Sequence, residues 1–250
     1  MAWWTLYKRE LSSYFHSGVA YVVLFGSAAA QSIQFIIITG LVAQNHFTQS
    51  SVMQIFFTWP LFWLLLLIQI PLITMRVFSE ELKLGTLEML MTAPVRDWDV
   101  VLAKFFGALS FFIVLWIPIA LDLTALQLFS SPPPPLIWSQ IGLTALTILL
   151  VGALYISIGV FTSSLTKNQI VSAVLCFAML MVPLGFSFFR YVENLNATIL
   201  DWISYVSTPE HLQNAGQGIF DSRPIVYYIT ASVLMLYLTK TVLEGRRLKS

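Results

Sequence analysis

WSQIGLTALTILLVGALYISIGVFT, residues 138–162, runs for twenty-five residues without one charged side chain. A helix needs about 20 apolar residues to cross the hydrocarbon core of a bilayer, so this stretch can span a membrane by itself. It lacks the apolar–polar alternation of a transmembrane β-strand. Five more stretches are long and apolar enough to span and lack that alternation, at 19–42, 52–75, 101–128, 169–189 and 225–243. The expected fold class is therefore all-α: a polytopic membrane protein with six transmembrane helices in one transmembrane domain, residues 1–250.

The whole-chain composition agrees. Of 250 residues, 58% are hydrophobic and 10% charged, and the mean hydropathy is +0.80. A soluble domain carries about 25% charge; this chain lacks the polar surface to cover one. High hydrophobicity also excludes disorder. A net charge of +1 supplies no field for nucleic acid, so no nucleic-acid partner is expected. The single cysteine, Cys176, excludes an internal disulfide and a cysteine-based metal site. Lys8, Arg9 and the small residues Ala28–Ala30 resemble a signal peptide. The apolar run continues past them through Ile33, Phe35 and Val42, which favours a retained span.

Lysine and arginine set the expected orientation. Lys8 and Arg9 precede the first span. Arg76, Lys83, Arg96 and Lys104 fall to the second-to-third connection and Lys167 to the fourth-to-fifth. Lys240, Arg246, Arg247 and Lys249 close the chain. Only Arg190 and Arg223 fall on the opposite side. Eleven against two puts both termini in the cytoplasm.

The connections carry more pattern than the spans. In the first 16 residues, Trp3, Tyr7, Leu11 and Tyr14/Phe15 recur at helical spacing, with Lys8, Arg9, Ser12 and His16 opposite. That is an amphipathic helix suited to the membrane interface, with lipid as its partner. In the 78–97 loop, Gly85 can end a helix that extends from the second span. Thr86 can cap the next helix, with Glu88 in its first turn. Pro94 ends that helix, and Asp97 can cap the third span. Leu87, Leu90 and Met91 then form one apolar face, at i, i+3, i+4. Such a face suits a groove on another protein; packing on its own bundle fits the same spacing. Pro132–Pro135 predict a stiff outer turn. The 190–224 connection predicts amphipathic outer helices, with Thr208 as a cap and Pro209 at the first helical position. Gly218 and Asp221 follow. Helices of this kind can lie at the interface or dip in as a re-entrant pair.

No motif makes the chain an enzyme by itself. The sequence has no GxxxxGK[ST], HExxH or GxSxG. His16, His46 and His211 lie in separate connections, so no metal site is expected. Asp122, in the outer part of the third span, is the one acid within the spans and hence a candidate intramembrane polar site. It equally fits a carboxylate that reaches water near the outer surface. One carboxylate cannot form a proton relay, so energy for transport has to come from elsewhere.

Glu80-Glu81-x-x-x-Gly85-Thr86-Leu87-Glu88-x-Leu90-x-x-x-Pro94-Val95, followed by Lys104, resembles the coupling segment of type-2 ABC exporter permeases. Lys8-Arg9-Glu10-Leu11, Tyr14-Phe15 and Ser207-x-Pro209-x-His211 with Gly218 and Asp221 resemble its gliding-motility branch. The resemblance covers essentially the whole chain. It implies a bacterial inner-membrane permease subunit that pairs with a second permease, copy or paralogue, and with cytoplasmic ABC ATPase subunits. ATP and magnesium would sit on those ATPases, with no cofactor in this chain. It assigns the interfacial helix to residues 1–16, the coupling helix to Thr86–Ala93 and outer re-entrant helices to about 195–220. The work done would be export, or action on a periplasmic partner protein without cargo. Two other readings stay open: a non-transporting membrane scaffold or assembly factor, and an intramembrane lipid-modifying enzyme using Asp122 with Glu210, His211 and Asp221.

Overall fold

A computed structural model describes residues 2–44, 52–87, 96–129, 137–188 and 197–247. Every regular element among them is a helix. In chain order these are α1 (Ala2–Phe15), α2 (Gly18–Ala43), α3 (Val52–Thr58), α4 (Pro60–Thr74), α5 (Ser79–Leu84) and α6 (Asp97–Val114). Then follow α7 (Ile117–Phe129), α8 (Trp138–Leu165), α9 (Gln169–Phe188), α10 (Ala197–Val206), α11 (Thr208–Gly216) and α12 (Ser222–Arg247). Six helical stretches are long and apolar enough to cross a membrane: 18–43, 60–84, 97–129, 138–165, 169–186 and 222–247.

The chargeless helix α8 is the hub. It packs on α12, α9, α11, α6 and α4. Two glycines allow the close contacts. A Cβ at Gly152 would overlap the Phe112 ring of α6, and one at Gly159 would overlap the Thr74 side chain of α4. At one end of α8, Ser163 Oγ accepts the backbone N–H groups of Phe78 and Ser79, at 3.0 and 3.1 Å. At the same end, Arg246 of α12 donates to the last carbonyls of α8, Ser164 O at 3.0 Å and Leu165 O at 3.1 Å. At the other end, Gln140 Nε2 reaches Gln217 O, just past α11. These two ends are about 35 Å apart at 1.5 Å rise per residue.

The second and third spans are broken where the sequence reading has them continuous. Pro60 has no N–H, so the Phe56 carbonyl four residues earlier loses its helical donor. Pro118 does the same to Val114. Backbone groups in a bilayer need internal partners, and α2 supplies a donor at each break. Gln34 Nε2 donates to Phe56 O at 2.8 Å. Gln31 Nε2 donates to Leu115 O, in the turn between α6 and α7, at 3.1 Å. Both glutamines are buried.

Two caps shift by one residue. Arg96, with an extended backbone, stands at the N-cap of α6, and Asp97 is its first helical residue. There Asp97 and Asp99 both favour the helix dipole, and Asp97 meets Arg247 at 3.5 Å. Likewise Ser207, not Thr208, is the N-cap of α11. The Thr208 side chain is fully buried and accepts the Tyr155 hydroxyl at 3.3 Å. Gly85 ends α5 in the left-handed conformation, φ 73°, as its position after Leu84 predicts.

Gln34→Leu leaves the Phe56 carbonyl without a donor in an apolar interior. We expect it to lower stability by about 1–2 kcal/mol, read as a fall in the thermal unfolding midpoint in detergent. Ile36→Leu, on the exposed face of the same helix, should leave that midpoint unchanged.

Candidate functional site

Helix α1 packs its aromatic side along α6. The Trp3 ring meets Phe106 edge-on, with centroids 6.0 Å apart, and Tyr14 stacks on Phe111 at 5.1 Å. The Tyr7 hydroxyl bonds Ser110 Oγ at 2.8 Å. Tyr14 also donates to Ile73 O of α4 at 3.2 Å. Gly107 lets the two helices approach: a Cβ there would lie 3.1 Å from Glu10 Cβ. Trp3, Tyr7 and Leu11 are half-buried on this side, while Lys8, Arg9, Ser12 and His16 are exposed. Phe15 touches Phe111 but stays exposed. The aromatic residues read as lipid anchors therefore pack largely on protein.

One turn before Gly107 stands Lys104, which is 2% exposed. Counting it among connection charges is incorrect: it lies inside α6, with its head group turned into the bundle. Its ammonium donates to Val77 O at 2.8 Å, Glu81 Oε1 at 2.9 Å and Glu10 Oε2 at 3.3 Å. Three N–H donors thus have three acceptors. The Phe78 ring closes the site 5.1 Å away. Arg9 joins the cluster from the surface, 3.1 Å from Glu10 and 3.5 Å from Glu81. The node unites α1, α5, α6 and the kink between α4 and α5. Ser163 of α8 takes the N–H groups that the kink leaves free.

The other predicted residues do not converge here. Thr86 lies exposed just past α5, and Leu87 is buried. Glu88, Leu90, Met91 and Pro94 lie outside the described residues, as does His46. Asp122, half-buried in α7, accepts the Ser32 hydroxyl of α2 at 3.0 Å. At the opposite end of the bundle, Pro209 opens α11 and His211 is buried, its Nδ1 2.8 Å from the Tyr228 hydroxyl. Burial pushes the His211 imidazole down to about 4. Gly218 takes φ 80° in the turn after α11, where any other residue would be strained. Asp221 Oδ1 accepts the Arg223 N–H at 2.9 Å at the start of α12, a capping role. Among the described residues no three His, Cys, Asp or Glu side chains are grouped to hold a metal.

Sequence reasoning missed Lys104, Glu10 and Glu81 as a unit. The signal was present: a lysine three residues inside an apolar run of 28 is an intramembrane charge that needs a partner.

Residues 17–239 match the model of a protein family described as ABC-2 family transporter protein. The match takes in five of the six apolar stretches whole and most of the sixth, and begins just after α1. No curated protein matches the chain.

Removing one partner from a buried charge cluster costs about 3–5 kcal/mol. Lys104→Met should therefore lower the thermal midpoint sharply and expose α1 to protease. Adding Glu10→Gln and Glu81→Gln should recover most of that loss. The lowered His211 pKa carries its own pH dependence. An opened α11 takes up a proton near the ordinary 6.5, whereas the packed one does so only near 4. Packing is then fully stable above about pH 6.5 and weakens as pH falls toward 4. Proteolysis of the 197–222 region should rise over that window, and His211→Asn should flatten the rise.

Proposed function

The chain belongs to the ABC-2 family of transporter proteins, which are transmembrane permease subunits that generally work with ABC ATPases, and we propose that it couples such ATPases to movement of its spans. The reading is of a subunit in the bacterial inner membrane with both termini in the cytoplasm, in the gliding-motility branch of the family. Two cytoplasmic ATPase subunits bind ATP and magnesium, and a second permease completes the transmembrane unit. The chain itself carries no ATPase site. Its output is export, or work on a periplasmic partner.

The observation that carries this reading is the Lys104 node. The sequence from Thr86 to Pro94 continues from α5; Leu87 is buried in the core, and Leu90 and Met91 carry the proposed ATPase contact. Glu81 of α5 and Glu10 of α1 hold the same ammonium of α6. A push on the coupling segment or on α1 therefore reaches the second and third spans through charge-assisted hydrogen bonds, not through a slack loop. The surface side of α1, with Lys8 and Arg9 exposed, suits contact with a protein at the membrane surface. Asp122 and its Ser32 partner lie between α2 and α7, away from this node.

Leu90→Glu places a charge in the apolar face of the coupling segment. We expect normal membrane insertion and loss of the ABC ATPase from complexes purified out of native membranes. Undiminished ATPase in those complexes would overturn the coupling role.

A further inference from the structure

Beside the Lys104 node, α1, the start of α2, the end of α4 and α5 enclose a cleft of about 780 Å³. That is within the size range of small-molecule sites. Its walls are divided in character. Val19, Ala20 and Val23 of α2, Leu72 and Ile73 of α4 and Phe111 of α6 form an apolar part. The polar part holds six charges. Four of them, Arg9, Glu10, Glu81 and Lys104, neutralise one another as described. Arg76 and Glu80 also line the cleft, and neither pairs with an opposite charge among the described residues.

Arg76 is under-used. It sits in the kink between α4 and α5, half-buried. Its Nη1 reaches Ser17 Oγ only at 3.5 Å, and its Nε is buried without an acceptor. A guanidinium has five N–H donors in a planar fork suited to phosphate oxygens. Ser17 is the N-cap of α2, yet its side chain makes no capping bond. Ala20 N–H bonds the Ser17 carbonyl at 3.1 Å, which leaves Gly18 and Val19 N–H of this 26-residue helix without an intrahelical acceptor, and such groups favour an anion beside them. Two independent anion-seeking features thus adjoin one cleft. Glu80 supplies a carboxylate at the same cleft, without an ion-pair partner among the described residues.

Depth identifies the ligand. Apolar helix α2 begins at Gly18 and α4 ends at Thr74, so Ser17 and Arg76 stand where membrane-crossing helices reach the headgroup layer. We propose that this cleft binds a membrane phospholipid carrying an amino headgroup. The phosphodiester sits on Arg76 and the N-terminus of α2, the ammonium turns to Glu80, and the first acyl carbons run along Val23 and Leu72. This rests on the membrane-spanning fold and not on the ATPase partnership, so either reading can fail without the other.

The test uses the full chain in detergent and native mass spectrometry, with phosphatidylethanolamine, phosphatidylcholine and phosphatidylglycerol offered at equal concentration. Wild-type protein should retain phosphatidylethanolamine best. Arg76→Gln should cut retention of all three on the order of tenfold, the usual scale for losing a charged hydrogen-bond donor. Glu80→Gln should erase the preference for ethanolamine over choline while leaving phosphatidylcholine bound. Equal retention by wild type and a folded Arg76→Gln overturns the site; an unchanged preference in Glu80→Gln overturns the headgroup assignment. Displacement of the lipid by excess inorganic phosphate assigns the site to free anions and overturns the lipid. Should Arg76→Gln not fold, a photoactivatable phosphatidylethanolamine on wild-type protein decides. Crosslinks within 17–23 and 72–76 support the proposal, and crosslinks confined elsewhere overturn it.

Discussion

An ammonium group cannot sit inside an apolar bundle without oxygen around it, and this requirement at Lys104 organises one whole end of the molecule. Its three acceptors come from three pieces of chain far apart in sequence: a side chain of α1, a side chain of α5 and a carbonyl of the kink before α5. None can leave alone without stranding a charge. The close crossing of α1 over Gly107 brings Glu10 within reach, and the kink after α4 turns Glu81 and the Val77 carbonyl inward. Ser163 of α8 holds that kink by taking its two free N–H groups. The termini of the bundle are thereby tied to its central helix through polar contacts, whereas the spans themselves meet mostly through apolar packing.

The two ends of the bundle use polarity differently. Around α1 and α5 the polar groups are ionic and shared, with the buried Lys104 ammonium at their centre. Around α11 they are neutral and buried: His211 meets the Tyr228 hydroxyl, and Tyr155 meets Thr208. A neutral hydrogen-bonded cluster adds no charge to its surroundings, while a buried ionic cluster ties its helices together, since losing one member strands a charge.

The number of membrane-crossing stretches was legible from the sequence because length and hydropathy are averages over many residues, and such averages survive local irregularity. What depends on single groups was not legible. The missing N–H of Pro60 or Pro118 barely changes the mean hydropathy of a span, yet it breaks the helix. Counting lysines by loop treats each one as solvated, which assigned Lys104 to a connection. Adjacent Ser207 and Thr208 are both good caps, and only the buried contact to Tyr155 shows that Thr208 is used otherwise. The Ser32 partner of Asp122 lies ninety residues away, beyond any local pattern. The amphipathic character of α1 was visible, but not that its aromatic side would find α6 before lipid.

Gln31 and Gln34 also bear on how the chain is built. Helix α2 precedes its partners in the chain, so during synthesis in chain order its two amide side chains at first have no such carbonyl to meet. Their partners, Phe56 and Leu115, arrive later, with the second and third spans. Until then α2 carries two polar groups that a bilayer core disfavours. The early helix is thus held in an unfinished state that only its successors resolve. Assembly order is written into the positions of two glutamines, and a chain stalled after its first span would be the form most exposed to quality-control proteolysis.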